Sequence, residues 1–443
     1  MRSLTPLHET YCKWDRTPPS QADVLEGIAQ LVSTPVNTAL RDFIQTIQRE
    51  VISSVFGISQ KKSRELLKNS YIQKFYQVSF DSMQNYGSHF IAPSLRRIIE
   101  KFPNLHNSPL TPKLHFLVGA LNGVLGDYLL KHHNPIGLPM VLYDHYGSVQ
   151  KGELSGHVIL FVHGLCMNHL DWSHHQYGGI GEKLLAQRAH NTMLYLNYNT
   201  GRRISANGRS LANTLEDLVR RNPQISQISI IGHSMGGLVA RSALFYGKQN
   251  MYEWLHMTEN LVCLGSPHHG AMLERLGFSL QDKLGRFPIV KVAGHIVNIR
   301  SNGILDLRHG SVRDDDWEHN DARIGFMDDN RKPAPLPSHI NTYLVAGTIE
   351  NEKKNNRTRK AIGDYLVSVK SALGEHPNPR FQLKVPESHK AIFYGLNHFE
   401  IHTHLSVAEQ IAQWFYPPFG EKDLEHIHEH IINLENYDGI ALT

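Results

Sequence analysis

Past residue 131 the chain alternates short apolar runs with helical patterns, and this rhythm restricts the fold more than any other feature of the sequence. The runs lie at 158–162, 192–198, 228–231, 261–264, 340–346 and 390–394, and helical spacing intervenes at 205–221 and 237–246. Apolar runs of four to seven residues separated by helices predict strands buried on both faces. The expected architecture is α/β, a mostly parallel sheet covered by helices on each side.

Before the rhythm begins the pattern is helical. Residues 22–57 carry Leu40, Ile44, Ile47, Val51 and Val55 at helical spacing, and further helices are expected at 94–102 and 114–130, the last with Leu117, Leu121, Val124 and Tyr128 along one side. The expected division is an N-terminal helical accessory region over 1–131, a catalytic domain over 132–420, and a helical tail over 421–443. Residues 270–337 interrupt the alternation and read as an inserted cap or lid.

Composition excludes several classes. Hydrophobic residues make up 41% and charged residues 19%, an ordinary globular balance. The net charge of +4 comes from 45 basic and 41 acidic residues that are spread along the chain, so no nucleic-acid partner is implied. The basic run KKNNRTRK at 353–360 reads as a solvated loop, with contact to an anionic surface as the sharper alternative. Cys12, Cys166 and Cys263 are too few and too scattered for a disulfide framework or a thiolate metal site, which suits a cytoplasmic protein. The first residues lack the apolar core of a signal peptide, and 114–130 is short and contains Asn122 and Asp127, so no transmembrane span is expected. Peripheral membrane contact through the first helix is the alternative, although that helix carries no marked basic face.

The chemistry centres on ISIIGHSMGGLVARSALFYG at 228–247, where Gly-x-Ser-x-Gly joins a strand to a helix. This setting would hold Ser234 on a sharp turn beside a helix N-terminus, which offers amides and positive dipole to a developing anion. A serine hydroxyl needs a base, and the base needs an acceptor to orient it. Among 29 histidines, His398 lies between the last apolar run and a helical stretch. His402 and His404 are alternatives that are expected to open that helix, and His233 is expected to point away from the serine. Asp364, after the run at 340–346, is the candidate acid, and Glu350 is a weaker one. Asp306 and 314–316 fall in the insertion and read as solvated acids. The oxyanion donors are expected to be the amides of Leu165, in the turn after HVILFVHG, and Met235. Cys166 beside that turn reads as a small buried hydrophobe rather than a nucleophile.

FVHGL, GHSMGG, LGSPHHGA, GDYLVSVKSALG and GLNHF stand in the same order as in lipases and esterases of the α/β-hydrolase superfamily, and the chain resembles bacterial lipases and the group related to glycosylphosphatidylinositol deacylases. The resemblance covers roughly 140–415. It implies an α/β-hydrolase fold, Ser234 as nucleophile, His398 as base, Asp364 as acid, and an ester or lipid substrate, with no cofactor. It also implies that the N-terminal region resembles the accessory segment of some bacterial esterases. One departure stands out: related lipases often read Gly-Asp-Gly where this chain has Asp364-Tyr365. LGSPHHGA reads as a structural turn, with a metal pair at His268 and His269 as the alternative, and His426 and His430 read as a solvated face in the absence of an HExxH motif. No metal is expected.

The resulting expectation is a serine carboxylic-ester hydrolase acting on apolar acyl esters. An acyltransferase or thioesterase would use the same triad, and a non-catalytic scaffold would keep the fold without turnover.

Overall fold

Strands in this chain are apolar without alternation because both faces of the sheet are covered. In β2 (Gly156–Val162), Val158, Leu160 and Val162 enter one apolar cluster while Ile159 and Phe161 enter the other. The computed structural model describes residues 17–33, 96, 99–172, 179–188, 191–272, 301–317, 331–350 and 363–417. The rest of the helical pattern at 34–57, residues 94, 95, 97 and 98 of the next one, the basic run at 353–360, the insertion at 273–300 and 318–330, and the tail with His426 and His430 lie outside the described residues.

In chain order, α1 (Gln21–Ser33) and α2 (Pro112–Lys131) precede β1 (Val141–Tyr143) and β2. Then follow α3 (Ile180–Gln187), β3 (Thr192–Asn197), α4 (Ile204–Arg221), β4 (Ile225–His233), α5 (Met235–Gln249), α6 (Trp254–Met257) and β5 (Thr258–Leu264). The last elements are α7 (Asn302–Leu307), β6 (Asn341–Thr348), α8 (Val369–Ala372), β7 (Lys390–Tyr394) and α9 (Leu405–Phe415). The seven strands are ordered β1-β3-β2-β4-β5-β6-β7. All neighbours are parallel except β1 and β3. The expected mostly parallel sheet is therefore present, with a three-residue antiparallel edge strand that is too short to leave a pattern in the sequence. Helices α2, α4 and α5 bury Leu121, Leu215 and Leu238 against one face, while α3 and α9 bury Leu184 and Ile411 against the other.

Helix α2 opens with Thr111 accepting a hydrogen bond from the Leu114 amide at 3.3 Å and with Pro112 in the first turn, where a missing N–H costs nothing. The single apolar side expected for it is too narrow a description. Every residue from Leu117 to Leu125 is buried, because the helix lies beneath the loop that follows β2 and its Gly123 carbonyl accepts from the Ser301 hydroxyl at 2.7 Å. No helix among the described residues is long and apolar enough to cross a membrane.

The acids of the insertion depart from their expected solvated role. Asp306 is 2% exposed, accepts from Arg203 at 2.6 Å and from the Ile204 amide at 2.8 Å, and so anchors α7 to the N-terminus of α4. Asp314 pairs with Arg209, and Asp316 accepts the Val312, Arg313 and Lys332 amides. Backbone N–H groups and arginines take the place of water around these carboxylates and offset part of the cost of burying them. Sequence proximity to an irregular segment carried no sign of them.

Burial leaves its mark on the histidines. His169, stacked 3.6 Å from Tyr143, has its pKa pushed down to about 2, and His268, fully buried, is held well below its ordinary value. Desolvation is the main cause in both. A histidine whose folded pKa is depressed takes up a proton in the unfolded chain but not in the folded one. Its contribution is whole above about pH 6.5 and is lost as pH falls. At pH 5 each of the two should cost about 2 kcal/mol relative to pH 7.5. Asp306, raised to about 6 by burial, opposes the trend by about 1 kcal/mol over the same range. Urea unfolding should show a clearly lower midpoint at pH 5; an equal midpoint at both pH values would contradict neutral burial.

Candidate active site

The chain reverses direction across the sheet between β2 and β4: β3 follows β2 on one side, and β4 follows on the other. Ligands of open α/β sheets bind at the carboxyl ends of the strands at such a switch. The loop 163–168 leaves β2 at that point and Ser234 leaves β4 beside it, so their proximity follows from topology.

Ser234 has φ 53° and ψ −121°, a region that non-glycine residues enter only when their surroundings hold them there. Its amide donates to the Leu264 carbonyl at 2.8 Å and its carbonyl accepts from the Gly237 amide at 3.2 Å. The turn is possible because α5 presses directly on β2: a Cβ at Gly236 would overlap the Val162 carbonyl oxygen. Both obstacles are backbone, since the His163 carbonyl also lies 2.8 Å from that Cβ position. Gly236→Ala should therefore destabilise by about 2–3 kcal/mol, read as a lower urea midpoint with an unchanged slope. An unaltered midpoint would show that the helix can back away from the strand.

Asp364 and His398 follow β6 and β7. The His398 Nδ1 lies 2.7 Å from Asp364 Oδ2 and its Nε2 lies 2.8 Å from Ser234 Oγ. A carboxylate only accepts, so Nδ1 carries the proton and Nε2 is free to accept the serine O–H. Asp364 is 1% exposed, and its Oδ1 accepts the Leu366 and Val367 amides at 3.0 and 2.8 Å. The His398 amide donates to the Asp364 carbonyl at 3.0 Å, which ties the two loops together. Tyr365 stands at φ 81°, the left-handed conformation that glycine adopts freely, so the departure from Gly-Asp-Gly is accommodated by backbone strain and an exposed ring.

Strand β5 lies between β4 and β6, and its end must not block the line from serine to aspartate. Gly265, at φ 57°, meets that need: a Cβ there would sit 3.2 Å from Asp364 Oδ2 and 3.4 Å from His398 Nδ1. Its role was hidden in LGSPHHGA, which signals a turn but not what the turn avoids.

In the loop after β2, Cys166 stands at φ 60°, its amide donates to the Thr200 hydroxyl at 3.2 Å, and the Tyr198 hydroxyl donates to the His163 carbonyl at 2.8 Å. The Cys166 sulfur turns toward α2, 3.8 Å from the Ala120 carbonyl and away from the serine. Leu165 lines the cavity beside Ser234. Among the described residues, neither the Leu165 nor the Met235 amide donates to any acceptor. The same cavity is walled by Met167, Pro267, Leu366, Val367 and Phe399.

The alternative histidines fall elsewhere. His404 caps α9 as expected, accepting from the Ser406 amide at 3.3 Å. His402 is buried and packs on His233 and Trp172 instead of opening the helix, with Nε2 3.2 Å from the Asp171 carbonyl. His233 donates through Nε2 to the His398 carbonyl at 2.9 Å, so it supports His398 from behind. Glu350 donates through its own amide to the Thr348 hydroxyl and accepts the Gly395 amide on its carbonyl, whereas the carboxylate on His398 Nδ1 is that of Asp364. The His268 Nδ1 faces the Arg241 guanidinium at 3.1 Å, an arrangement for accepting an N–H. Among the described residues no group of three or more His, Cys, Asp or Glu side chains is placed to hold a metal ion.

Structures similar to the chain include the mature Bacillus licheniformis lipase BlEst2, at 17% identity over 62% of this chain and 97% of that one, TM-score 0.36. They also include the naproxen esterase of Bacillus subtilis, at 13% identity over 62% and 87%, TM-score 0.34. A third is the peroxisomal alpha-beta-hydrolase Lpx1 of Saccharomyces cerevisiae, at 11% identity over 69% and 91%, TM-score 0.35. No curated protein sequence matches. The profile of the PGAP1-like alpha/beta domain matches residues 153–376, half of the chain, from β2 through the candidate acid. With its seven-stranded sheet, the chain belongs to the PGAP1-like alpha/beta domain family.

Proposed function

We propose that this chain is a serine carboxylic-ester hydrolase that works through an acyl-enzyme. The observation that carries the reading is the continuous hydrogen-bonded line from Ser234 Oγ through His398 to Asp364, at 2.8 and 2.7 Å, ending on a carboxylate held by two amides. Ser234 attacks the ester carbonyl as His398 Nε2 takes its proton. The imidazolium is stabilised by Asp364 and returns the proton to the departing alcohol. Water then repeats the sequence on the acyl-enzyme and frees the acid. The Leu165 and Met235 amides supply the oxyanion donors, a contribution of about 3–4 kcal/mol to the barrier for each donor in comparable sites.

The apolar walls around Ser234 favour an apolar acyl group, as in a simple carboxylic ester or a lipid met in the cytoplasm or at a membrane surface. The catalytic domain is assigned to 132–420, with 1–131 as its helical accessory region and 421–443 as a tail.

Purified protein offered aryl esters from acetyl to palmitoyl, soluble and emulsified, should turn over the apolar series and discriminate against a charged succinyl ester. Absence of turnover on every ester by folded protein would overturn the proposal. An added alcohol acceptor should leave hydrolysis dominant; dominant transfer would reassign the same triad to an acyltransferase.

A further inference from the structure

A second cavity lies behind the catalytic one, on the other side of the segment that follows β5. In that segment Pro267 lines the Ser234 cavity, whereas His268 and His269 line the second, of about 310 Å³. This volume is at the lower end of the range for small-molecule sites.

Charge in the second cavity is one-sided. Among the described residues, Arg241, Arg331, Lys332, Arg380 and Lys384 line it against a single carboxylate, Asp316, whose oxygens accept the Val312, Arg313 and Lys332 amides. Arg241 is the unusual member. It sits on α5, 7% exposed, and among the described residues no carboxylate forms an ion pair with it. Its guanidinium donates to His268 Nδ1 at 3.1 Å and to the Ala334 carbonyl at 3.3 Å, while its Nε–H has no acceptor among the described residues. Because His268 Nδ1 accepts from arginine, the proton of the neutral ring is on Nε2, and that N–H has no acceptor either. Burying an arginine with no carboxylate in direct contact is costly, Asp316 acting on it only at a distance, and burying donors without acceptors adds to the cost. A bound anion with several acceptor oxygens would offset both.

We propose that this cavity binds a phosphomonoester group, with Arg241 and His268 at its floor and Arg380 and Lys384 at its rim. Three acceptor oxygens and two charges suit a fork of arginine N–H groups better than a single carboxylate would. The cavity has room for a small group esterified to the phosphate. It makes no use of Ser234, so binding does not depend on hydrolase activity.

Calorimetry on the full chain at low salt, with glucose 6-phosphate, inorganic phosphate and glucose, tests this directly. The two phosphates should bind and glucose should not, with affinity falling as salt rises. Arg241→Gln should weaken glucose 6-phosphate by about tenfold or more. If that variant fails to fold, Arg380→Gln/Lys384→Gln, at exposed positions, decides instead and should weaken binding several-fold. Ser234→Ala should leave it unchanged. Vesicles of phosphatidylcholine with and without phosphatidic acid identify the source. Sedimentation only with phosphatidic acid, unaffected by glucose 6-phosphate and lost in the same variants, would assign the phosphate to a lipid headgroup. Competition by glucose 6-phosphate would assign it to a soluble ester. Failure of every phosphate compound to bind, or equal affinity in wild type and in the folded variants, would overturn the proposal.

Discussion

Ser234→Ala is expected to fold normally, to lose labelling by a fluorophosphonate, and to lower kcat on any ester by about 10⁴–10⁶-fold, or about 5–8 kcal/mol. The magnitude follows from the way a triad works: without the nucleophile, His398 and Asp364 have nothing to activate, and only the oxyanion amides and binding continue to act. Stability should change by no more than about 0.5 kcal/mol, because alanine keeps the Cβ and therefore the strained backbone at φ 53°. Ser234→Gly gives an internal check. It removes the same hydroxyl and also the strain, so it should be about 1 kcal/mol more stable than the alanine variant and equally inactive. Persistent labelling of Ser234→Ala at wild-type stoichiometry would sink the assignment of the nucleophile.

Asp364→Asn should lower kcat by about 10⁴-fold, or about 5 kcal/mol, with little change in KM. The asparagine oxygen can still accept the Leu366 and Val367 amides that Asp364 Oδ1 accepts at 3.0 and 2.8 Å, so the loop should hold its shape. The amide nitrogen then faces His398 Nδ1, which must accept, and the ring proton moves to Nε2. Ser234 would face an N–H instead of a base. Alanine at the same position frees both amides and should also lower the unfolding midpoint, which separates the catalytic loss from the structural one. Activity within tenfold of wild type in Asp364→Asn would mean that another group orients His398.

The sequence was most legible where a physical requirement has a short local signature. A strand buried on both faces must be apolar, so the cores of β2 to β6 could be read directly, and the half-buried edge strand β7 still kept the apolar run at 391–394. A serine on a strand-to-helix turn needs small neighbours, so GHSMGG was readable too. Pairing over distance was harder. Asp364 and His398 lie 34 residues apart and His398 and Ser234 164 apart, and they could be placed only by the order of strands. Three features left no local trace. Strand β1 is too short for a pattern, Gly265 matters for the line of sight across β5, and Asp306 and Asp316 are buried by partners distant in the chain. His402 misled for the same reason: its ring packs against Trp172 and His233, and no spacing along α9 reveals that.

The connection from β5 to β6 spans residues 265–340, yet it leaves and re-enters the sheet at fixed, adjacent strands. Closing a loop between fixed ends becomes only about 0.6 kcal/mol harder each time its length doubles. Ser234 and His398 stand at or just past the ends of β4 and β7, so the parts of this connection outside Gly265 and the buried contacts of Asp306 and Asp316 can lengthen or shorten at small thermodynamic cost without displacing Ser234 from His398. The fold thus keeps its reactive geometry on a rigid frame and leaves the walls around it open to inheritance with modification: new substrate preferences can arise there long before the chemistry itself has to change.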